Sequence, residues 1–200
     1  MTSPNLKSRA ISLVFESNSM LATTIFQNAV PVYRVSTSTH GSTTEIRTTG
    51  TDMLIARIAR KEIFPSTVTF PDMNGEKSIK ISKWLKPSEL PDGLTAATLQ
   101  TPIGDFVLGG HPEYTLALYT PDITTLIAHW SQKTSNASST SPPTLIIASG
   151  YEGAHAQILA AFVYEEQEIR IARKNGDVAQ GVAQMLGKYP YLKFGGGGIM

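Results

Sequence analysis

The chain has no cysteine. Disulfides, thiolate metal sites and a cysteine nucleophile are therefore excluded at once. Charge is also scarce: 16% of residues are Asp, Glu, Lys or Arg, and 17 basic residues against 16 acidic ones leave a net +1. No field of one sign is available to gather nucleic acid or to steer acidic ligands. Long apolar runs are missing as well. The most apolar stretch, from Ala154, lasts about 11 residues where a bilayer needs about 20, so no transmembrane segment is expected. The opening MTSPNLKSRAISLVF has neither a long hydrophobic region nor a small-residue cleavage site. No secretion signal is read there, and a cytoplasmic location is expected. Catalytic signatures are absent too. Ser149-Gly150-Tyr151 completes no nucleophile elbow, and the glycines after Phe194 precede no Lys-Ser or Lys-Thr of a phosphate loop.

What the sequence does have is a helix signal with an unusual profile. Ala154 to Lys174 reads AHAQILAAFVYEEQEIRIARK, free of proline and rich in helix formers. Its first three turns are apolar or small nearly all round, broken only by His155 and Gln157, which predicts burial on most sides. In its second half Glu165, Glu166, Glu168, Arg170, Arg173 and Lys174 are expected to reach water. Acids precede bases, as the helix dipole favours, and Glu166 with Arg170 makes an i,i+4 pair. Asn175-Gly176 supplies a left-handed cap.

Before this helix the chain is a rhythm of short β-type runs. ISLVF (11–15), ATTIF (22–26), PVYRVST (31–37), TTEIRT (43–48), DMLIARIAR (52–60), STVTF (66–70) and SIKISKWL (78–85) come first. Two short segments about a turn at 102–104 follow, then EYTLALYT (113–120), ITTLIAHW (123–130) and TLIIAS (144–149), the last apolar enough for burial on both faces. Lys86 to Gly93 reads as a proline-rich loop with room for one helical turn, and 131–143 as a polar low-complexity loop. About a dozen strands followed by one apolar helix predict a mainly β (α+β) fold: a closed antiparallel barrel around the buried C-terminal helix. Residues 1–10 read as a flexible leader, 11–175 as a single barrel domain with central helix 154–174, and 176–200 as a C-terminal tail. The aromatic-rich tail, with Tyr189, Tyr191 and Phe194, is either a docking peptide or a strap on the barrel.

At this level the chain resembles a fungal, mushroom-type family of unknown function related to tubby-like and LURP-one-related barrels. The features concerned are ISLVF, VPVYRVST, TTEIRT, DMLIARIAR, TLIIAS and the helix leading into FVYEEQEIRIARK, together about 11–174. The resemblance implies a twelve-stranded barrel around a central helix and no established activity. Some related barrels bind phosphoinositides or associate with membranes, but their lipid-contacting residues find no matching positions here, and the tail extends past the family pattern.

Chemistry has few candidates. The histidines His40, His111, His129 and His155 form no His-x-His or His-x3-His pair, so no metal and no cofactor is expected. His40 and His111 fall in glycine-containing turns and are expected at the surface. His155, a polar ring among alanines, either bonds within the barrel mouth or faces a ligand. Arg57, Lys80 and Lys83 could form a patch for anionic lipid on adjacent strands. Three functions are compatible with these residues. One is a non-catalytic intracellular binding protein for a partner protein or a lipid-like small molecule. A second is a barrel-pocket enzyme of isomerase or cyclase type using His155, His129, Tyr151 or Tyr164. The third is a self-assembling structural protein, a homo-oligomer joined through its tail.

Overall fold

A computed structural model describes residues 10–61, 63–74, 77–90, 95–111, 113–131 and 142–174. The expected leader, tail and most of the low-complexity loop lie outside these residues. Among the described residues thirteen strands form one antiparallel sheet, in the order β7-β6-β5-β4-β3-β2-β1-β13-β12-β11-β10-β9-β8. The first half runs β1 (Ile11–Phe15), β2 (Ala22–Gln27), β3 (Val30–Thr37), β4 (Thr43–Thr48), β5 (Leu54–Ala59), β6 (Thr67–Thr69) and β7 (Ser78–Lys80). The second runs β8 (Leu85–Glu89), β9 (Thr95–Thr101), β10 (Gly104–Gly109), β11 (Ala117–Tyr119), β12 (Leu126–Trp130) and β13 (Thr144–Ile147). Each half is a meander, and β1 joins them by pairing with β13, Leu13 lying opposite Leu145.

The alternation that predicted these strands is what places the core. Leu13, Phe15, Ile25, Val35, Ile46, Ala56, Ile58, Val68, Leu99, Leu108, Leu118, Leu145 and Ile147 are all buried. They face helix α3 (His155–Lys174), which follows a 3-10 turn at Glu152–Ala154. Ile158 through Val163 are at most 1% exposed, so every direction around those six helical residues is covered. The sheet must therefore curl around the helix. The tight β2–β3 hairpin is a two-residue turn with Asn28 and Ala29 both at positive φ (51° and 63°), the geometry that matches strand twist.

Among the described residues the hydrogen-bond ladder does not close, so the mainly β antiparallel sheet with its C-terminal helix is found as expected, with a seam between its edge strands and without the ladder closure expected of a barrel. The edge strands β7 and β8 are consecutive in the chain and separated only by the four-residue helix α2 (Ile81–Trp84). Four residues of helix advance about 6 Å, so the two edges end close together. Residues 78–85, expected as one strand, break because Ile81, Trp84 and Leu85 all turn inward, a helical spacing that a continuous strand cannot present to one side. Of the loop expected at Lys86–Gly93, the first residues belong instead to strand Leu85–Glu89, and 91–93 lie outside the described residues. The edges are unattractive for further pairing. Pro87 sits on β8, and the exposed Lys80 and Lys86 flank the seam. β13 is buried on one face only: Leu145 and Ile147 point inward while Thr144 and Ile146 are half-exposed.

The second half of α3 departs furthest from expectation. Glu165 and Glu166, expected in water, are buried at 1% and 9% exposure, and Gln167 beside them at 2%. Polar groups at that depth need partners. Gln167 Nε2 donates to the Met20 carbonyl, and its Oε1 accepts from Thr44 Oγ1 at 3.2 Å. Glu166 holds Arg170 at 2.8 Å, and Arg170 Nη2 donates to Asn18 Oδ1 at 2.8 Å. Arg60 Nε donates to Glu168 at 2.9 Å, and its guanidinium lies 5.2 Å from the Tyr164 ring centre. The helix leaves the sheet through a collar of polar contacts from the β1–β2 turn, β4 and the end of β5.

Candidate functional site

At the seam the ladder is interrupted and the helix behind it becomes reachable. A cleft of about 300 Å³ opens there, lined by Pro65, Ser66, Ile81, Ser82, Leu85, Pro87, Tyr164 and Glu165. Each lining element is positioned by the strand break. The Ile81 N–H donates to the Ser66 carbonyl at 2.9 Å, which pins the approach to β6 against α2. β8 supplies Leu85 and Pro87 from the opposite edge. Tyr164 and Glu165, coming from α3 inside the sheet, form the floor. The walls are thus largely apolar, with two hydroxyls, a phenol and a buried carboxylate as polar groups. Burial, with Glu168 and Glu165 nearby, raises the Tyr164 pKa well beyond the ordinary phenol range, so the phenol stays protonated.

The residues singled out from sequence do not share one place. Tyr164 lies in the seam cleft. His155 and Tyr151 lie at the other end of the helix, where His155 packs edge-on against Tyr33 (5.6 Å) and Tyr151 against Phe106 (5.5 Å). Nine residues of helix separate His155 from Tyr164, about 13 Å along the axis. Burial lowers the His155 pKa, opposed by Glu152, and its Nε2 is buried with no hydrogen-bond partner among the described residues. His129 lies on the outer face of β12, opposite Ala117, with the Tyr114 ring tilted against it at 4.1 Å and His111 beyond Tyr114 at 4.8 Å. Burial, and secondarily His111, lowers its pKa. His40 is exposed and His111 half-buried. An acid–base site built from His129, His155 and Tyr164 together is therefore not assembled. No cluster of three or more metal-ligating side chains occurs among the described residues.

The basic residues divide. Arg57 is exposed but bonded to Glu45 at 2.9 Å, and Arg47 holds the same carboxylate at 2.8 Å. Those arginines keep the Glu45 pKa below the usual carboxylate range, with Arg47 the larger influence. Lys80, at the end of β7, and Lys83, on α2, are exposed beside the cleft and enter no ion pair among the described residues. Sequence reasoning missed Ser66, Ser82, Leu85, Pro87 and Glu165. The signal for the strand break lies in ISKWL, where alternation fails after Ile81.

No helix among the described residues is long and apolar enough to cross a membrane. No curated protein matches the chain in sequence. Among solved structures, a protein from Arabidopsis thaliana known by X-ray structure is similar at 10% identity, with a TM-score of 0.48, over 82% of this chain and 93% of that one. Residues 18–171, which take in both the seam and most of the helix, match the family of unknown function DUF6593, and the chain belongs to that family.

Proposed function

We propose that the chain is a non-catalytic binding domain that takes a lipid-like amphiphile into the seam cleft. The observation that carries this reading is the interruption of the ladder between β7 and β8. It leaves an apolar-walled opening of about 300 Å³ at the lower end of the range for ligand pockets. Pro65, Ile81, Leu85 and Pro87 suit an alkyl or ring system, while Ser66, Ser82 and the Tyr164 hydroxyl suit a polar end. The tubby-like kinship, the fungal origin and the cytoplasmic location belong to the same proposal. A curled antiparallel sheet around a C-terminal helix is compatible with that kinship. The separation of His155 from Tyr164, and of both from His129, favours binding over the isomerase or cyclase alternative.

Native mass spectrometry of the protein titrated with dodecanoate tests the reading. A one-to-one adduct is expected for the wild type and for Ser82→Ala. It is expected to disappear in Ser82→Trp, which places an indole across the mouth, with melting unchanged. Equal adduct in Ser82→Trp, or none in the wild type, would overturn the proposal.

A further inference from the structure

The mouth of the seam carries a second feature that the cleft does not explain. The β5–β6 connection places Ile63 and Phe64 at 89% and 68% exposure. They are the two most exposed large apolar side chains among the described residues, and they are adjacent. Two such residues at one tip forfeit burial unless something else covers them. Their position is fixed. Pro65 and Ser66, which follow directly, line the cleft, and Ser66 is bonded to α2.

Glu165 is the acid that lines the adjoining cleft, and four lysines stand about this tip. Lys61 precedes it, Lys80 pairs with Thr67 just beyond it, Lys83 stands on α2 and Lys86 on β8. All four lysines are exposed, and none joins the six ion pairs of the described residues, which use arginines throughout. Glu62 belongs to the same connection in sequence and lies outside the described residues. A protein of net charge +1 thus concentrates unpaired lysines about one apolar tip.

We infer that this face docks on an anionic bilayer. Ile63 and Phe64 enter the headgroup boundary, and Lys61, Lys80, Lys83 and Lys86 lie against the negative surface. Apolar insertion and electrostatic attraction together are what an interfacial contact requires, since neither alone holds a protein firmly. A second protein copy would meet the same lysines and be repelled, which makes a bilayer the better fit. The inference rests on the seam reading in one respect only. Docking would bring the cleft to the surface from which an amphiphile enters.

Co-sedimentation of the full chain with phosphatidylcholine vesicles, with and without phosphatidylserine, tests it. Binding is expected only with phosphatidylserine, and it should weaken as salt is raised. Lys80→Ala with Lys83→Ala should reduce the partition coefficient about 25-fold, at roughly fivefold per lysine. Phe64→Asp should reduce it tenfold or more, by about the apolar burial it forgoes. The dodecanoate adduct should survive both Phe64→Asp and the paired lysine substitutions, so failure of the cleft and failure of the docking face are separable. Absence of binding at low salt, or binding indifferent to both sets of substitutions, overturns the inference. So would self-association of the wild type that Phe64→Asp abolishes, with no vesicle binding.

Discussion

Replacing Gln167 by leucine removes the centre of the polar collar while conserving most of its volume. The side chain is 2% exposed and bridges two elements remote in sequence, Met20 after β1 and Thr44 on β4. Thr44 would keep Thr37 Oγ1 at 3.0 Å and Arg60 at 3.2 Å, so its hydroxyl stays satisfied. The Met20 carbonyl loses the side-chain donor it has in the fold. Leaving one buried carbonyl unpaired costs about 1–3 kcal/mol, and the lost Thr44 bond adds about 0.5–1.5 kcal/mol. A total of about 1.5–4.5 kcal/mol follows, and for a domain of this size each kcal/mol moves the midpoint about 2–4 °C. Thermal unfolding followed by circular dichroism should show Tm falling by roughly 3–18 °C. Gln167→Glu should be at least as damaging, because it sets a carboxylate against the same carbonyl and removes the donor. A change in Gln167→Leu below about 0.5 kcal/mol, the range of ordinary surface substitutions, would refute the buried collar.

Other consequences can be measured separately. Ala29 sits at φ 63° with a Cβ that resists that geometry, so Ala29→Gly should raise stability by about 1 kcal/mol in urea unfolding. A loss of stability would mean that the turn has another form. His129 and His155 both have pKa values lowered by burial, so the unfolded chain binds protons more readily than the folded one. Stability should be complete above about pH 6.5 and decline as the pH drops below it. The depressed carboxylates Glu45, Asp122 and Glu152 act only below about pH 4.5, outside that window. His155→Gln should flatten the decline in Tm between about pH 6.5 and 5, and an unchanged slope would exclude its burial as a cause. Pro87→Val should restore a donor to the open edge of β8 and promote edge-to-edge association, visible as a larger mass in size exclusion coupled to light scattering. A strictly monomeric variant at every concentration where the wild type is monomeric would contradict that role for Pro87.

Much of this architecture was legible because strand alternation and helical composition are local signals. Val30–Thr37, Thr43–Thr48 and Leu54–Ala59 fall where the alternation places them, and α3 ends its burial near Ile169. The helix's apolar front predicted its enclosure. Its polar rear misled, because Glu165 and Glu166 look like solvated residues until the collar around them and Gln167 is known. Met20 and Thr44 are 147 and 123 positions away from Gln167, and no window of sequence connects them. The seam was hidden for a related reason. Ile79 and Ile81 continue a strand pattern, and only the joint burial of Ile81, Trp84 and Leu85 reveals the turn of helix. Likewise Arg57 and Lys80 read alike as bases on adjacent strands. The carboxylate of Glu45, one strand over, sets them apart.

The seam cleft as the binding site can be tested residue by residue by amide chemical-shift mapping of the uniformly labelled protein during titration with dodecanoate. The account predicts saturable shifts concentrated at Ser66, Ile81, Ser82, Leu85, Tyr164 and Glu165, with Tyr33, Tyr151 and His155 unmoved. Shifts centred instead on the His155 end of the helix, or none at all, would contradict it.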